Sequence, residues 1–458
     1  MSLIPAMPKR YAPEAVYLGA VVVIAAFALA AACGHPLLPR WTGLAWTTAA
    51  GVPAPVIAAW VVAFTLLGLA ITHPLFGLAG YLLCAYSIQG TEPSYQMLYR
   101  EGGLHWAALL AVAAGVIFQL RHDSRLRFPR DPLALAVAAF LAWVAVCYLV
   151  AQIAGRDAPP RWNREPVYFL HCFAVFWLSS SFVRGRELLA ALIGLLAAVL
   201  TFRWLTSPVV VFNESYLASY LALACPLVLA LSLMFDKLVV RIMWIIAALA
   251  MIGLILHIQN RAAVVAVIVA MFIFVLVSLS RLRATILGIA LVIVVVFGLP
   301  RTEVWERFDA LRDHLSPGTE RVALWYGGVA MFREYPVFGV GPGQYSSAVP
   351  LYTDGIGRGG QPDAHNSFVE VLAETGAVGL LLFCWMLLVA LGYAYQVTAS
   401  RNARDWVRGA ARGLFASLCA VIVVSLLNSR HDLTLLYIVF GMACSVRACW
   451  FDRRSPAA

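Results

Sequence analysis

Long apolar runs are the feature that most constrains this chain. From Val16 to Trp450 they recur, each ended by charged residues or by proline and glycine. Each run has about 17 to 22 residues, and a helix needs roughly 20 residues to cross the hydrocarbon core of a bilayer. Hydrophobic residues make up 62% of the chain and charged residues 12%, unlike a soluble domain. The sequence therefore predicts an all-α polytopic membrane protein, since a β-barrel would show short alternating segments.

The number of predicted spans is about 12 to 14, because the segments at 54–72 and 75–90 touch and could form a re-entrant pair. Removing that pair leaves every later loop on its side of the membrane. The first run lacks a small-residue cleavage site, so we expect a retained helix rather than a signal peptide. The predicted spans are 16–33, 54–72, 75–90, 104–120, 133–153, 166–183, 187–203, 216–234, 239–258, 262–279, 284–299, 377–397, 410–427 and 432–450.

The basic residues predict the orientation of these spans. If the N-terminus lies in the cytoplasm, most short arginine-rich loops also lie on the cytoplasmic side. This agrees with the excess of lysine and arginine that cytoplasmic loops usually carry. The net charge of +10 is thus explained by topology, and we expect no nucleic-acid partner. The nine cysteines lie in or against apolar runs without a CxxC pair, so we expect unreactive core residues.

Loop lengths divide the chain into three regions. Residues 1–299 form a predicted N-terminal transmembrane bundle, and residues 300–364 form one long external loop. Residues 365–458 hold a short interfacial helix and the C-terminal transmembrane helices. A loop as long as the central one usually has a function. Its turn signals predict a helix from Glu320 to about Glu334 that ends before Pro336.

The segment after this loop is too long for one span. From Asn366 to Gln396 it is nearly uncharged, and as one helix it would measure about 46 Å against a hydrocarbon core of roughly 30 Å. Gly376 interrupts it and is typical of a residue that ends a helix. We therefore predict a short helix of about nine residues before a span that starts at Ala377.

The start of this short helix carries a polar cluster. Ser367 and Glu370 have the spacing of a capping box. His365 and Asn366 precede them, which places an imidazole and an amide at the outer boundary of the membrane. His365 is either a helix-flanking polar residue or a general base, whose ordinary pKa suits proton transfer near neutral pH.

Arginines on the external side are candidate anion ligands, because the guanidinium fork matches phosphate oxygens. Arg261 lies in the short hairpin "HIQNRAAVV" and Arg203 ends a span, so each is either a functional group or a snorkelling side chain. Arg321, in "GTERVALWYGGVAMF", either faces the site or pairs with Glu320 or a headgroup. Arg430 lies in "NSRHD". Lysine is absent from these external segments but rare throughout, so codon bias is a further explanation.

Two other patterns bear on the chemistry. The segment "GVGPGQY" is either a plain turn or a nest of backbone amides that binds an anion. There is no DxD or HExxH motif and no cluster with metal-ligand spacing. The sequence therefore predicts a site without a metal ion or cofactor.

The segment "HNSFVEVLAETGAVG" resembles the His-Asn, nine residues, Gly-x-x-Gly pattern of the bacterial O-antigen ligase family. The long loop with "RVALW" and "PVFGVGPGQY" is similar to the same family and to related polymerases and protein O-oligosaccharyltransferases. The loop arginine of the family falls on Arg321 and its hairpin arginine on Arg261. The family pattern Arg-x-x-x-Leu is not kept, because Trp325 stands at the fourth position. The resemblance covers roughly Arg261 to Phe383.

This resemblance implies transfer of O-antigen glycan from undecaprenyl diphosphate to a sugar hydroxyl of lipid A–core. The implied place is the periplasmic side of the bacterial inner membrane, among membrane lipids. His365 is then the expected general base, and direct displacement inverts the anomeric carbon. The expected substrate-binding residues are Arg261, Arg321, Asn366, Arg203 and Arg430.

Three other functions remain open at this stage. An O-antigen polymerase uses the same donor with a second lipid-linked glycan as acceptor, and a protein O-oligosaccharyltransferase uses serine or threonine. A transporter could also have about 12 spans, but charges or helix breaks near the middle of several spans would then be expected. The compact loop favours the ligase.

Overall fold

A computed structural model describes residues 65–67, 69, 74–87, 103–122, 131–156, 166–206, 214–278, 320–353, 363–429 and 434–451. Within these ranges every regular element is an α-helix. The helices are α1 Pro74–Ser87, α2 Gly103–His122, α3 Pro132–Ile153, α4 Pro166–Phe182, α5 Arg186–Thr206, α6 Glu214–Met234, α7 Leu238–Ile258, α8 Arg261–Ser278, α9 Glu320–Glu334, α10 Tyr345–Tyr352, α11 Ser367–Ala399, α12 Asp405–Leu427 and α13 Thr434–Phe451.

Of the described helices, seven are long and apolar enough to cross a membrane, namely α3, α6, α7, α8, α11, α12 and α13. The predicted polytopic all-α class is confirmed. The predicted spans at 16–33 and 284–299 lie outside the described residues, as does nearly all of 54–72. The total of about 12 to 14 crossings therefore stays a prediction.

Helix α6 is at the centre of the bundle, and α7 is at its edge. The structure buries 89% of the membrane-span window of α6 but only 17% of that of α7, which identifies α7 as a lipid-facing helix. Helix α6 packs against α5, α7, α8 and α12. Its contact with α12 is close because Gly413 faces Ala230, where a Cβ on Gly413 would collide. Small residues at such contacts let two helices approach within a membrane.

The predicted break in α11 is confirmed. Gly376 has φ 70° and ψ −170°, which divides α11 into a short first half and a long second half. The predicted capping box of Ser367 and Glu370 is wrong. Asn366 is the N-cap, and its side-chain oxygen accepts hydrogen bonds from the amides of Phe368 and Val369 at 2.9 and 3.2 Å. The side-chain oxygen of asparagine caps a helix as well as a serine hydroxyl does, so the N-cap lies one residue earlier than predicted.

The segment Pro336–Gly341 fills the break. The first half of α11 ends with carbonyls that have no partner in the helix. The amides of Val340 and Gly341 donate to the carbonyls of Ala373 and Glu374 at 2.9 and 3.0 Å. On the other side of the break, the amide of Ala377 donates to the carbonyl of Pro336 at 2.9 Å.

Helix α3 supplies the last partner at this break. The indole Nε1 of Trp143 donates to the carbonyl of Thr375 at 2.9 Å, and Phe338 stacks on the Trp143 ring with centroids 5.3 Å apart. Trp143 lies in the middle of α3, so the break lies at membrane depth. Irregular backbone is tolerated there only when other protein groups satisfy it. The loop region is thereby fixed to the bundle.

Gly376→Ala tests this arrangement. A Cβ at Gly376 would collide with the carbonyl of Val337, and φ 70° is unfavourable for alanine. We expect a loss of at least about 2 kcal/mol in stability, seen as a lower Tm and less monodisperse protein in detergent.

Gly392→Ala is the matched control on the same helix, because nothing lies within 4 Å of a Cβ added at Gly392. Its Tm should stay equal or rise, since alanine favours a helix. Equal behaviour of the two variants would contradict this account of the break.

Candidate functional site

Arg261 is placed by the tight turn between α7 and α8. Gln259 takes the left-handed conformation with φ 56°, and the Asn260 side chain accepts a hydrogen bond from the Ala263 amide at 2.9 Å. Arg261 is therefore the first residue of α8, and it is half-buried. The positive end of a helix dipole repels a guanidinium and attracts an anion. This position favours an arginine only where an anion can join it.

Arg321 is near enough to Arg261 for the two charges to interact. It is half-buried in the first turn of α9, whose predicted bounds are confirmed. Burial first, and the nearby Arg261 guanidinium second, lower the pKa of Arg321 below its usual value. Within the described part of the chain, neither arginine forms an ion pair with a carboxylate, Glu320 included. Two cations whose charges interact, and that have no carboxylate partner among the described residues, make this a candidate anion-binding site.

Helix α9 is held against α10 and α11 by its buried face. The hydroxyl of Tyr345 donates to the carbonyl of Leu324 at 2.5 Å, and the Tyr345 amide donates to Glu374 at 3.1 Å. Burial, and then the neighbouring carboxylates beginning with Glu370, raise the pKa of the Tyr345 hydroxyl, so it remains a donor. Gly328 lies against Val369 and Tyr345 with no space for a Cβ.

Trp325 connects the arginine helix to the histidine segment. Its indole Nε1 donates to the carbonyl of Ala364 at 2.8 Å. Trp325 follows Arg321 by one helical turn, so both side chains lie on one face of α9. The residue that departs from the expected leucine thus makes a specific contact. It brings the turn before His365 next to the arginine-bearing end of α9.

His365 and Asn366 lie where α11 begins, as predicted. Both are half-buried, and His365 has φ 50°, a left-handed conformation that is uncommon outside glycine. Such conformations cluster at functional sites, because the surrounding structure must hold them. The Asn366 side-chain oxygen is used in the helix cap, so the cap does not use its NH₂ group.

Arg203 and Arg430 are the two other predicted ligands. Arg203 is only 3% exposed in the last turn of α5, which packs against α1 and α6. Such burial is not that of a snorkelling side chain. Arg430 lies outside the described residues. Their binding roles stay predictions.

The segment "GVGPGQY" acts as a structural turn. Its amides at Val340 and Gly341 bind carbonyls of α11, so they are not available to an anion. Glycines at 339, 341 and 343 all have positive φ, which the turn requires.

Sequence reasoning missed a buried polar cluster beneath His365. Glu370 has no exposed surface, and it accepts hydrogen bonds from the Ala364 amide at 3.3 Å and from the hydroxyl of Ser429. The hydroxyl of Ser367 donates to the carbonyl of Asn428 at 2.9 Å. The available signal was a glutamate in an apolar segment, where an ionisable residue is by default functional.

The fold and this site define a multi-pass α-helical membrane protein with a cationic site at one end of its bundle. Residues 245–384 match the family profile described as O-antigen ligase. The match includes Arg261, Arg321, His365 and the broken helix. Comparison with curated proteins finds no match. The resemblance is confirmed over this range, and members of the matched family are glycosyltransferase-like enzymes.

Pyrophosphate binding tests the arginine pair. An anion that binds only the folded protein stabilises it, by about 2.7 kcal/mol at 100 times its Kd. We expect inorganic pyrophosphate to raise the Tm of the purified protein, and Arg321→Gln to remove most of this rise.

The control is Arg333→Gln, which removes an exposed arginine from the other end of α9. It should keep the full rise in Tm. The same loss in both variants would mean that pyrophosphate reports general charge and not this site.

Proposed function

We propose that this protein transfers O-antigen glycan from undecaprenyl diphosphate to a sugar hydroxyl of lipid A–core. The reaction takes place on the periplasmic side of the bacterial inner membrane, and it uses no metal ion. His365 is the general base, and Arg261 and Arg321 bind the diphosphate. Asn366 holds the imidazole or a sugar hydroxyl, while Arg203 and Arg430 are further substrate ligands.

The observation that carries this proposal is a pair of arginines whose charges interact and that have no carboxylate partner among the described residues. A polyprenyl diphosphate keeps its tail in lipid and its charged group at the interface. Arg261 begins a membrane-spanning helix and Arg321 lies on a loop helix, so a diphosphate between them would contact both. Negative charge grows on the diphosphate as it leaves, and two guanidinium groups favour that state. The family match over the same residues supports the donor class.

The chemical step is one displacement. The acceptor hydroxyl oxygen bonds to the anomeric carbon of the donor glycan as the bond from that carbon to the diphosphate oxygen breaks. His365 takes the hydroxyl proton, and undecaprenyl diphosphate leaves with the electron pair. Because the donor bond already carries the free energy, the reaction needs no nucleotide. Attack opposite to the leaving group inverts the configuration.

Reconstitution decides the acceptor. The purified protein would receive lipid-linked glycan with EDTA present and, in separate samples, lipid A–core, a second lipid-linked glycan or a serine-containing peptide. We expect a product only with lipid A–core, seen as a gel shift of that lipid. A product only with the second glycan would identify a polymerase, and one only with the peptide would identify a protein O-oligosaccharyltransferase.

His365→Ala should lose transfer by about 100-fold or more, the range expected when a general base is removed. The residue is half-buried at the end of a helix, so we expect normal expression and Tm. The gel-shift assay with lipid A–core measures the rate. Transfer at the wild-type rate would exclude His365 as the base.

Arg321→Lys should lower transfer by roughly 10- to 100-fold although the charge is kept, because an ammonium group cannot bind two phosphate oxygens as a fork does. Arg333→Lys is the paired control on the same helix and should retain activity. Wild-type activity of Arg321→Lys would instead favour a contact of this arginine with a lipid headgroup.

A further inference from the structure

Ala364, the residue before His365, is fixed at both of its backbone polar groups. Its carbonyl side is held by the Trp325 indole, which donates to the Ala364 oxygen at 2.8 Å. Its amide side is held by Glu370, which accepts from the Ala364 nitrogen at 3.3 Å. Ala364 itself is fully buried. The two contacts come from different elements, because Trp325 is on α9 and Glu370 is on the first half of α11.

Burial of the Glu370 side chain at this position is energetically unfavourable. A carboxylate without exposed surface loses its hydration, and hydrogen bonds must compensate for that loss. Its bond from the Ser429 hydroxyl also ties it to the residues that follow α12. An apolar residue at this position would avoid the desolvation and would suit a helix in a membrane. The presence of a carboxylate here is therefore explained by its hydrogen bonds with the Ala364 amide and the Ser429 hydroxyl.

We propose that Trp325 and Glu370 are positioning residues that act through His365. Together they clamp the backbone of Ala364 on both sides of its Cα, and the clamp keeps His365 in the left-handed conformation with φ 50°. This conformation is strained for a residue with a Cβ and persists only where its surroundings enforce it. On the other side of His365, the Asn366 cap fixes the chain. The proposal rests on the role of His365 as general base.

The clamp explains why an aromatic donor stands where the family pattern has leucine. A leucine would fill space on α9 but could not bind the Ala364 carbonyl. The same face of α9 carries Arg321, so the indole fixes the histidine turn relative to the diphosphate ligand. Displacement reactions depend on such alignment, and an error of about 1 Å can cost a factor of 100 in rate.

The test measures kcat and the donor KM of Trp325→Phe and Glu370→Gln with lipid A–core as acceptor. Glu370→Gln keeps the side-chain volume and Trp325→Phe keeps an aromatic ring, and each weakens one side of the clamp. We expect kcat to fall by about 10- to 100-fold with the donor KM within about twofold. If Trp325 served only to pack α9, Arg321 would shift with that helix and the donor KM would rise. That result would overturn the proposal.

The double variant gives a second readout. Two contacts to the backbone of one residue act as a unit. Trp325→Phe combined with Glu370→Gln should therefore lower kcat about as much as the more severe single change. Losses that multiply would mean two independent structural roles and would overturn the clamp. Binding of undecaprenyl diphosphate to each variant should keep the wild-type Kd, which also confirms that the variants are folded.

Glu374→Gln is the matched control. Glu374 is 2% exposed on the same helix, but it binds the Tyr345 amide and not the Ala364 peptide. Its kcat should fall less than that of Glu370→Gln. An equal fall would mean that the loss of any buried carboxylate lowers kcat, whether or not it contacts Ala364.

His365→Ala separates the two proposals. If it is inactive while both clamp variants keep the wild-type kcat, the clamp alone is wrong; if it is fully active, the base assignment is wrong.

Discussion

Backbone groups inside a membrane must find partners within the protein, and this requirement shapes the site. Helix α11 breaks at Gly376 at the depth of Trp143, and four hydrogen bonds from Pro336–Gly341 and α3 close the break. The same bonds fix the segment that follows α9 and the short helix that follows His365. A loop that would otherwise be attached only at its ends thus becomes part of the bundle.

Glycines explain why this solution needs the observed sequence. Gly376 provides the positive φ and lets the Val337 carbonyl approach, while Gly379 lies against the side chains of Thr375 and Trp143. The Gly-x-x-Gly spacing is therefore a packing requirement of the break and not a ligand site. The His-Asn pair stands at the other end of the same short helix, so one element links the structural motif to the candidate chemistry.

The sequence predicted what is local or periodic. Apolar runs predicted the seven described helices that can cross a membrane, turn residues predicted both ends of α9, and excess length with Gly376 predicted the broken helix. Prediction from the sequence failed where a side chain's hydrogen-bond partner lies on a distant segment of the chain. Ser367 and Glu370 have capping-box spacing, yet Ser367 bonds to the end of α12 and Glu370 to the Ala364 peptide. Trp325 looked like a departure from a pattern, because its partner lies on another segment. The approach of Arg261 to Arg321 was expected only from the resemblance.

The arginine pair also indicates how the donor completes the site. Helix α9 is anchored to α10 through Tyr345 and to the turn before α11 through Trp325, whereas the charge of its Arg321 interacts with that of Arg261. Between these guanidinium groups the interaction is repulsive until an anion lies between them. Under the proposed function, the donor diphosphate is that anion, and it joins α8 to α9. Donor binding would then hold Arg321 on the face that also carries Trp325, and so fix the anomeric carbon relative to His365. The donor carbon and the base would then be aligned before the acceptor hydroxyl attacks.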